Sequence, residues 1–188
     1  ALWADDMHHA IHAKLTGERQ GYYVDFGSIA TLAKALRGVF VHDGCFSTFR
    51  EQFWGAPLPP STAADTFVVF SANHDQIGNR AAGDRPSQSL DFNQLAIAAA
   101  LVLMTGFTPL VFMGEEWGAT TPFPYFTDHT DPEVGAATSK GRAAEFARHG
   151  WAESTPDPQD PAVFASAKLD WSELAETPHA RLHTWYRP

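Results

Sequence analysis

Apolar residues recur every three or four positions in residues 7–15 and again in residues 29–40. This spacing places them on one face of a helix, so the pattern predicts two amphipathic helices near the start of the chain. Asp5 and Asp6 precede the first helix and Ser28 precedes the second, and side chains of these types cap helix N-termini. We therefore expect a hydroxyl cap on the second helix. On the first helix we expect Asp5 and Asp6 either to be carboxylate caps or to contact a ligand from the helix N-terminus.

Two short apolar runs, residues 66–71 and 109–113, predict strands buried on both faces. An Ala-rich helical stretch at 92–105 separates them, and polar residues follow each run. Strand, loop, helix and strand in this order form a βαβ unit of a parallel α/β sheet. Periodicity alone allows either an open doubly wound sheet or a closed barrel. No Gly-rich nucleotide motif follows either run, which weighs against nucleotide binding.

Elsewhere the sequence predicts irregular structure and two more helices. Residues 41–65 and 78–89 are expected to be loops. A helix should open at residues 131–133 and close near Gly150, and a last helix should open at residues 177–178. Between them, residues 152–163 form a Pro-rich connector.

Charge and composition exclude several classes of partner. The net charge of −9 across 188 residues, without a Lys/Arg run, argues against nucleic acid and anionic membranes. No apolar run approaches transmembrane length. Cys45 is the single cysteine, which favours a cytoplasmic location and an inert thiol, although a disulfide-free secreted protein stays open. The chain starts without Met, directly before a helix, so we expect it to be part of a longer protein.

The densest polar cluster, Asn73-His74-Asp75-Gln76, follows the first strand. Amide, imidazole and carboxylate groups in one loop suit a ligand rich in hydroxyl groups, whereas the simpler alternative is a turn. Asp75 is the best candidate for a catalytic carboxylate, since parallel barrels keep their chemistry at strand C-termini. Glu115 and Glu116 follow the second strand and would be close to Asp75 on adjacent barrel strands, where paired carboxylates could serve glycoside hydrolysis. A capping or supporting role is the favoured interpretation for them.

Three histidines, His8, His9 and His12, raise the question of a metal site. The zincin pattern needs Glu directly after its first His, whereas His9 follows His8 here. A closed zinc site has four ligands, and no Cys accompanies the three histidines. We therefore predict no metal and no organic cofactor, and expect His8 or His9 to contact ligand or to pack. Loop aromatics such as Tyr23 and Phe53 are candidate stacking platforms for sugars, or ordinary core residues.

Several blocks resemble the alpha-amylase family of glycoside hydrolases and, within it, the malto-oligosyltrehalose trehalohydrolases. Asn73-His74-Asp75 is similar to a short block near the seventh barrel strand, and the string NHDQIGNRAAGDR at 73–85 is more specific. The other blocks follow in family order: DDMHHAIH at 5–12, GYY at 21–23, GEEW at 114–117, PYFTDH at 124–129, GRAAEF at 141–146 and PDPQDP at 156–161.

The resemblance implies part of a (β/α)₈ barrel, about strands six to eight, in residues 1–150. Residues 151–188 would be a connector toward a C-terminal β domain. The implied reaction is retaining hydrolysis of the α-1,4 bond beside the terminal trehalose unit of maltooligosyltrehalose, without a cofactor. Asp75 matches the carboxylate that stabilises the transition state. The implied substrate-binding residues are Asp5, Asp6, Met7, His8, His9, His74, Gln76, Ile77, Gly78 and Asn79, with Tyr23 and Phe53 as stacking platforms.

In that family the nucleophile and the acid/base precede the block that opens this chain. The resemblance therefore assigns neither group to a residue here, and we expect the isolated chain to be inactive. A glucan branching enzyme or related glucosyl transferase shares the short block at 73–75, and a non-catalytic sugar-binding module is the alternative from another class. The continuation at 78–85 and the paired histidines beside Asp5 and Asp6 favour the trehalohydrolases.

Overall fold

The computed structural model describes residues 1–148 and 156–187. The chain divides into a first unit of Ala1–Ser71 and Leu90–Phe112, and a second unit of Ala72–Ser89 and Met113–Pro188. The helices are α1 (Asp5–Thr16), α2 (Ile29–Gly38), α3 (His74–Gly78), α4 (Phe92–Leu103), α5 (Pro132–Arg148), α6 (Pro161–Ser166) and α7 (Thr177–Tyr186). The strands are β1 (Leu2–Trp3), β2 (Cys45–Ser47), β3 (Gln52–Trp54), β4 (Phe67–Val69) and β5 (Thr108–Pro109).

The first unit contains a small parallel sheet in the order β1-β4-β5. Leu2 pairs with Phe67 and Val68 pairs with Thr108, so β4 is the central strand. α1 packs against α2 and α4, and the core between them includes Met7, Ile11 and the strand residue Phe67. The predicted α/β class is confirmed in this form: a small parallel sheet with helices.

The two N-terminal helices form where the apolar spacing predicts them, but only one has the expected cap. The side chain of Ser28 accepts a hydrogen bond from Thr31 N, as predicted. α1 begins after Ala4 without a side-chain cap, so the predicted carboxylate cap is wrong. Asp6 instead accepts hydrogen bonds from the backbone of a distant segment.

The predicted buried strand at 109–113 is also wrong. β5 ends at Pro109, and its two residues are exposed. Leu110 N still donates to Val69 O at 2.8 Å, but β4 ends at Val69, so the sheet offers no further partner. Val111 and Met113 are 40% and 43% exposed.

Residues 41–65 contain a hairpin that the hydrophobic pattern did not predict. β2 and β3 pair antiparallel, with Phe46 opposite Phe53. Each strand is only three residues long, too short for the alternation that marks a half-buried strand. Glu51 adopts φ 54° in the connecting turn, a conformation that is uncommon outside glycine and that tightens the return of the chain.

The described part of the second unit contains α3, α5, α6 and α7. Buried Arg85 holds two loop carbonyls, donating through Nε to Thr121 O at 2.5 Å and through Nη1 to Met113 O at 2.8 Å. The predicted helix at 131–133 is confirmed as α5, and the predicted last helix as α7. The predicted end of α5 near Gly150 and the predicted domain boundary at 150/151 lie outside the described residues.

Candidate functional site

The N-terminus of α1 opens onto a cavity of about 330 Å³ within the first unit. Two of the predicted acidic residues and one predicted histidine line it, together with aromatic rings and one arginine. The lining residues are Trp3, Asp5, Asp6, His9, Tyr22, Phe26, Phe40, His42, Arg50, Trp54, Gly55, Ala56 and Leu58. Carboxylates beside aromatic faces are the combination that a sugar needs, because its hydroxyls require acceptors and its CH faces stack on rings.

Asp6 holds one wall of this cavity in place. Its Oδ2 accepts hydrogen bonds from Val41 N at 2.7 Å and His42 N at 3.1 Å. Oδ1 lies 3.9 Å from His9 Nδ1, too far for a hydrogen bond. One oxygen of Asp6 therefore has a structural role, while Asp5, which is exposed, presents its carboxylate at the cavity.

His9 lies in the cavity as a neutral imidazole. Burial lowers the pKa of His9 to about 4, although the neighbouring Asp6 acts in the opposite direction. Its ring packs edge-on to Tyr23 and Phe26. His9 Nδ1 is buried and makes no hydrogen bond within the described residues. A buried ring nitrogen of this kind is suited to a ligand hydroxyl, which would satisfy it.

A second side of the cavity carries Arg50 and Trp54. The guanidinium of Arg50 lies 4.5 Å from the ring centroid of Trp54, a cation–π geometry that holds both groups. Sequence reasoning missed Arg50, Trp3 and His42 as lining residues. The aromatic runs Cys-Phe-Ser and Gln-Phe-Trp, four residues apart, were the signal that could have predicted the hairpin beside them.

His8 and Tyr23 are buried rather than presented to solvent. His8 Nδ1 donates to Ser71 O at 2.5 Å, because a carbonyl can only accept, and His8 Nε2 forms a hydrogen bond with Tyr23 OH at 2.9 Å. His12 stacks on Tyr23 with centroids 4.6 Å apart and pairs with Glu18 at 2.7 Å. The predicted substrate contacts of His8 and Tyr23 stay predictions. The hydrogen bonds of His8 and His12 hold α1 in position.

The other predicted residues of the first unit differ in exposure. Met7 is fully buried in the core. Phe53 is 75% exposed and meets Phe46 edge to face at 5.8 Å. It is on the hairpin but does not line the cavity, so its predicted role as a stacking platform remains untested.

In the second unit, the polar cluster at 73–76 is a helix start rather than the predicted loop. Asn73 Oδ1 accepts from Asp75 N at 2.8 Å and from Gln76 N at 3.3 Å. Gln76 Oε1 accepts from Asn73 N at 3.2 Å, which completes a capping box. The side chain of Asn73 therefore has the local structural role that the turn alternative predicted, because it caps α3.

His74 and Asp75 are the members of the cluster that face solvent. Asn79 Nδ2 donates to Asp75 Oδ1 at 3.0 Å, and Asn79 is also exposed. Gln76, Ile77 and Gly78 are buried, and the side chains of Gln76 and Ile77 pack under α3. The geometry thus presents one carboxylate and one imidazole on the five-residue helix α3, and one amide on Asn79, the residue that follows it.

Glu115 and Glu116 lie in a 3₁₀ turn at Glu115–Trp117. Glu115 Oε1 accepts from Tyr186 OH at 3.3 Å. Burial first, and then Glu115, raise the pKa of Tyr186 above its ordinary value. Glu116 Oε2 is buried and has no hydrogen-bond partner within the described part of the chain. The contact with Tyr186 fits the favoured supporting role, which stays a prediction.

Metal-ion sites and membrane-spanning helices are both absent from residues 1–148 and 156–187. No three His, Cys, Asp or Glu side chains come together there as they would around a metal ion. None of the helices in these ranges has the length and apolarity needed to cross a membrane.

Comparison with known proteins gives concordant matches along the chain. A malto-oligosyltrehalose trehalohydrolase from Arthrobacter ramosus is 54% identical over 187 residues, covering 99% of this chain and 32% of the relative. One from Mycobacterium tuberculosis is 53% identical over 189 residues, covering 100% and 33%. The chain therefore spans about a third of the length of the curated relatives it matches. No protein-family model matches it.

A solved structure is similar as well. The crystal structure of a protein from Salmonella typhimurium, assigned as an alpha amylase, superimposes with a TM-score of 0.86 at 37% identity. The match covers 97% of this chain and 31% of that one. The resemblance predicted from the ordered sequence blocks is confirmed by these comparisons.

Proposed function

We propose that this chain is part of a malto-oligosyltrehalose trehalohydrolase, a glycoside hydrolase of the alpha-amylase type. The observation that carries the proposal is the similarity to relatives of that name through the whole chain. The parallel sheet and the similarity to an alpha amylase structure support a place in a (β/α)₈ barrel. In this proposal residues 1–150 are the barrel portion, and residues 151–188 lead to a further domain.

The proposed reaction hydrolyses the α-1,4 bond beside the terminal trehalose unit of maltooligosyltrehalose and releases trehalose. A retaining glycosidase passes through a transition state with positive charge on the sugar ring. An exposed carboxylate near the ring stabilises that charge more than it stabilises the neutral substrate. We assign this role to Asp75, with neighbouring His74 binding sugar hydroxyls.

The cavity of the first unit provides the proposed sugar-binding surface. Exposed Asp5 supplies an acceptor, and the unpartnered nitrogen of His9 can receive or donate one hydrogen bond according to its tautomer. Tyr22 and Trp54 supply ring faces for the apolar side of a glucose unit. The nucleophile and the acid/base are not assigned to residues of this chain, so activity belongs to the full-length protein.

Incubation of the full-length protein with maltotriosyltrehalose tests the proposal. The expected products are trehalose and maltotriose, without metal or organic cofactor. Asp75→Asn should lower kcat by on the order of 10²-fold or more while KM changes little, because the charge acts mainly in the transition state. Both products are quantified by chromatography.

Asp65→Asn is the matched control, since Asp65 is an exposed carboxylate of the first unit outside the cavity. Its kcat should equal that of the parent. Branched glucan formed without trehalose would reject the proposed reaction in favour of a transferase. An unchanged kcat in folded Asp75→Asn would reject the role of Asp75 while leaving the reaction in place.

A further inference from the structure

Arg142 of α5 contacts the end of α3 through both arms of its guanidinium. Nη1 donates to Asn79 Oδ1 at 3.1 Å. Nη2 donates to Gly78 O, the carbonyl of the last residue of α3, which has no partner within so short a helix. The guanidinium also lies 4.8 Å from the ring centroid of Tyr125. Three contacts therefore fix the orientation of this half-buried side chain.

The contact with Arg142 decides which way the Asn79 amide faces. A guanidinium only donates, so the atom that faces Arg142 must be the amide oxygen. The amide NH₂ is then directed to the other side, where Nδ2 donates to Asp75 Oδ1 at 3.0 Å. The reversed amide would place its oxygen against the Asp75 carboxylate, two acceptors without a proton between them.

We propose that Arg142 is a positioning residue, which orients the Asp75 carboxylate through Asn79. The inference rests on the proposed catalytic role of Asp75 and goes beyond it, because it assigns a function to a residue 67 positions away in the sequence. Arg142 does not touch the substrate in this proposal. It fixes one rotamer of Asn79, and Asn79 in turn holds one oxygen of Asp75.

Orientation of this kind affects the chemical step more than binding. An exposed carboxylate on a five-residue helix has several rotamers of similar energy, and only some direct an oxygen toward the reacting carbon. Misplacement of a catalytic group by about 1 Å is associated with losses of up to about 10²-fold. Loss of Arg142 should therefore reduce kcat while KM stays close to the parent value.

A double-mutant cycle in the full-length enzyme tests this relay, with trehalose release from maltotriosyltrehalose as the readout. Arg142→Met and Asn79→Ala should each lower kcat by roughly tenfold, with KM within about twofold. The double variant should be no slower than the slower single variant, because both changes interrupt the same relay. Multiplicative losses, or an unchanged kcat in Arg142→Met, would overturn the proposal.

Lys140→Met is the matched control, since it removes a positive charge from an exposed position of the same helix. Its kcat should equal the parent value, and a loss equal to that of Arg142→Met would overturn the relay in favour of a general charge effect. If Arg142→Met does not fold, Arg142→Lys replaces it, because lysine keeps the charge and stem but lacks two coplanar donors. Parent-level kcat in Arg142→Lys would overturn the relay.

Asp75→Asn, assayed in parallel, separates this inference from the proposed function. A loss in Asp75→Asn together with parent-level kcat in Arg142→Met rejects only the relay. Full activity in Asp75→Asn rejects the role of Asp75 and the relay with it.

Discussion

At the scale of single residues, the first unit holds a histidine whose burial decides its charge. The ring of His9 is surrounded by Tyr22, Tyr23 and Phe26, and transfer of a cation into such surroundings is unfavourable. The carboxylate of Asp6 lies near enough to oppose this effect but not to overcome it. His9 is therefore neutral at neutral pH, and its buried Nδ1 can accept or donate one hydrogen bond according to the tautomer.

We expect His9 to titrate near pH 4 in the folded protein rather than near 6.5. A lowered pKa means that the unfolded chain binds the proton more readily between these two values, so the free energy of unfolding falls as the pH is lowered through this range. The full effect is on the order of 3 kcal/mol. Histidine ¹³C NMR measures the titration, with His9→Gln to assign the signal, and a midpoint above pH 6 would contradict the expectation.

At the scale of elements, α1 is tied to the segment after α2 by one carboxylate. Asp6 accepts hydrogen bonds from the backbone N–H groups of Val41 and His42, and both of these residues are buried. Their donors have few other options, since buried amides without partners are costly. The segment that lines the cavity therefore depends on α1 for its conformation.

Asp6→Ala should lower the free energy of unfolding by about 2 kcal/mol, because two buried amides lose their acceptor. Urea denaturation of the full-length protein, followed by circular dichroism, gives the value. Asp65→Ala is the control and should stay within about 0.5 kcal/mol of the parent. Equal free energies of unfolding in Asp6→Ala and the control would contradict this prediction and show that water satisfies the two amides in place of the carboxylate.

The same residues show how far sequence reasoning reaches. The cap on α2 and the strand β4 were predictable, because a Ser before an apolar helix and a β-branched run are local signals. The role of Asp6 was not, since its partners are 35 and 36 positions away. Arg142 stood in a recognised block, yet its contact with Asn79 depends on the packing of α5 near α3. The hairpin strands were too short to show a period.

At the scale of the whole molecule, one buried carboxylate, that of Glu173, connects two distant segments of the second unit. Glu173 accepts hydrogen bonds from Thr120 N at 3.1 Å and Trp117 Nε1 at 3.2 Å, and Thr120 Oγ1 also donates to it. Burial alone would raise the pKa of Glu173, but these hydrogen bonds outweigh it and hold the pKa below its ordinary value. The C-terminal part of the chain is thereby joined to the turn that begins at Glu115.

Glu173→Gln should destabilise this join by about 1–3 kcal/mol, because Thr120 and Trp117 donate to both carboxylate oxygens and only one atom of the amide, its oxygen, can still accept. The Thr120 amide should exchange its hydrogen faster, as measured by mass spectrometry. Because the pKa is lowered, the contribution of Glu173 is present above its unfolded pKa and is lost as the pH falls through the folded pKa. Exposed Glu176→Gln is the control, and equal exchange rates in the two variants would refute the role.

The order of segments in the two units bears on synthesis at the ribosome. Residues 72–89 belong to the second unit, but they emerge before residues 90–112, which complete the first. Until then the central strand β4 has β1 on one side and an open edge on the other, because β5 has not been made. At about 5–20 residues per second, this interval lasts a few seconds. A nascent chain therefore holds β4 without its β5 partner for that time.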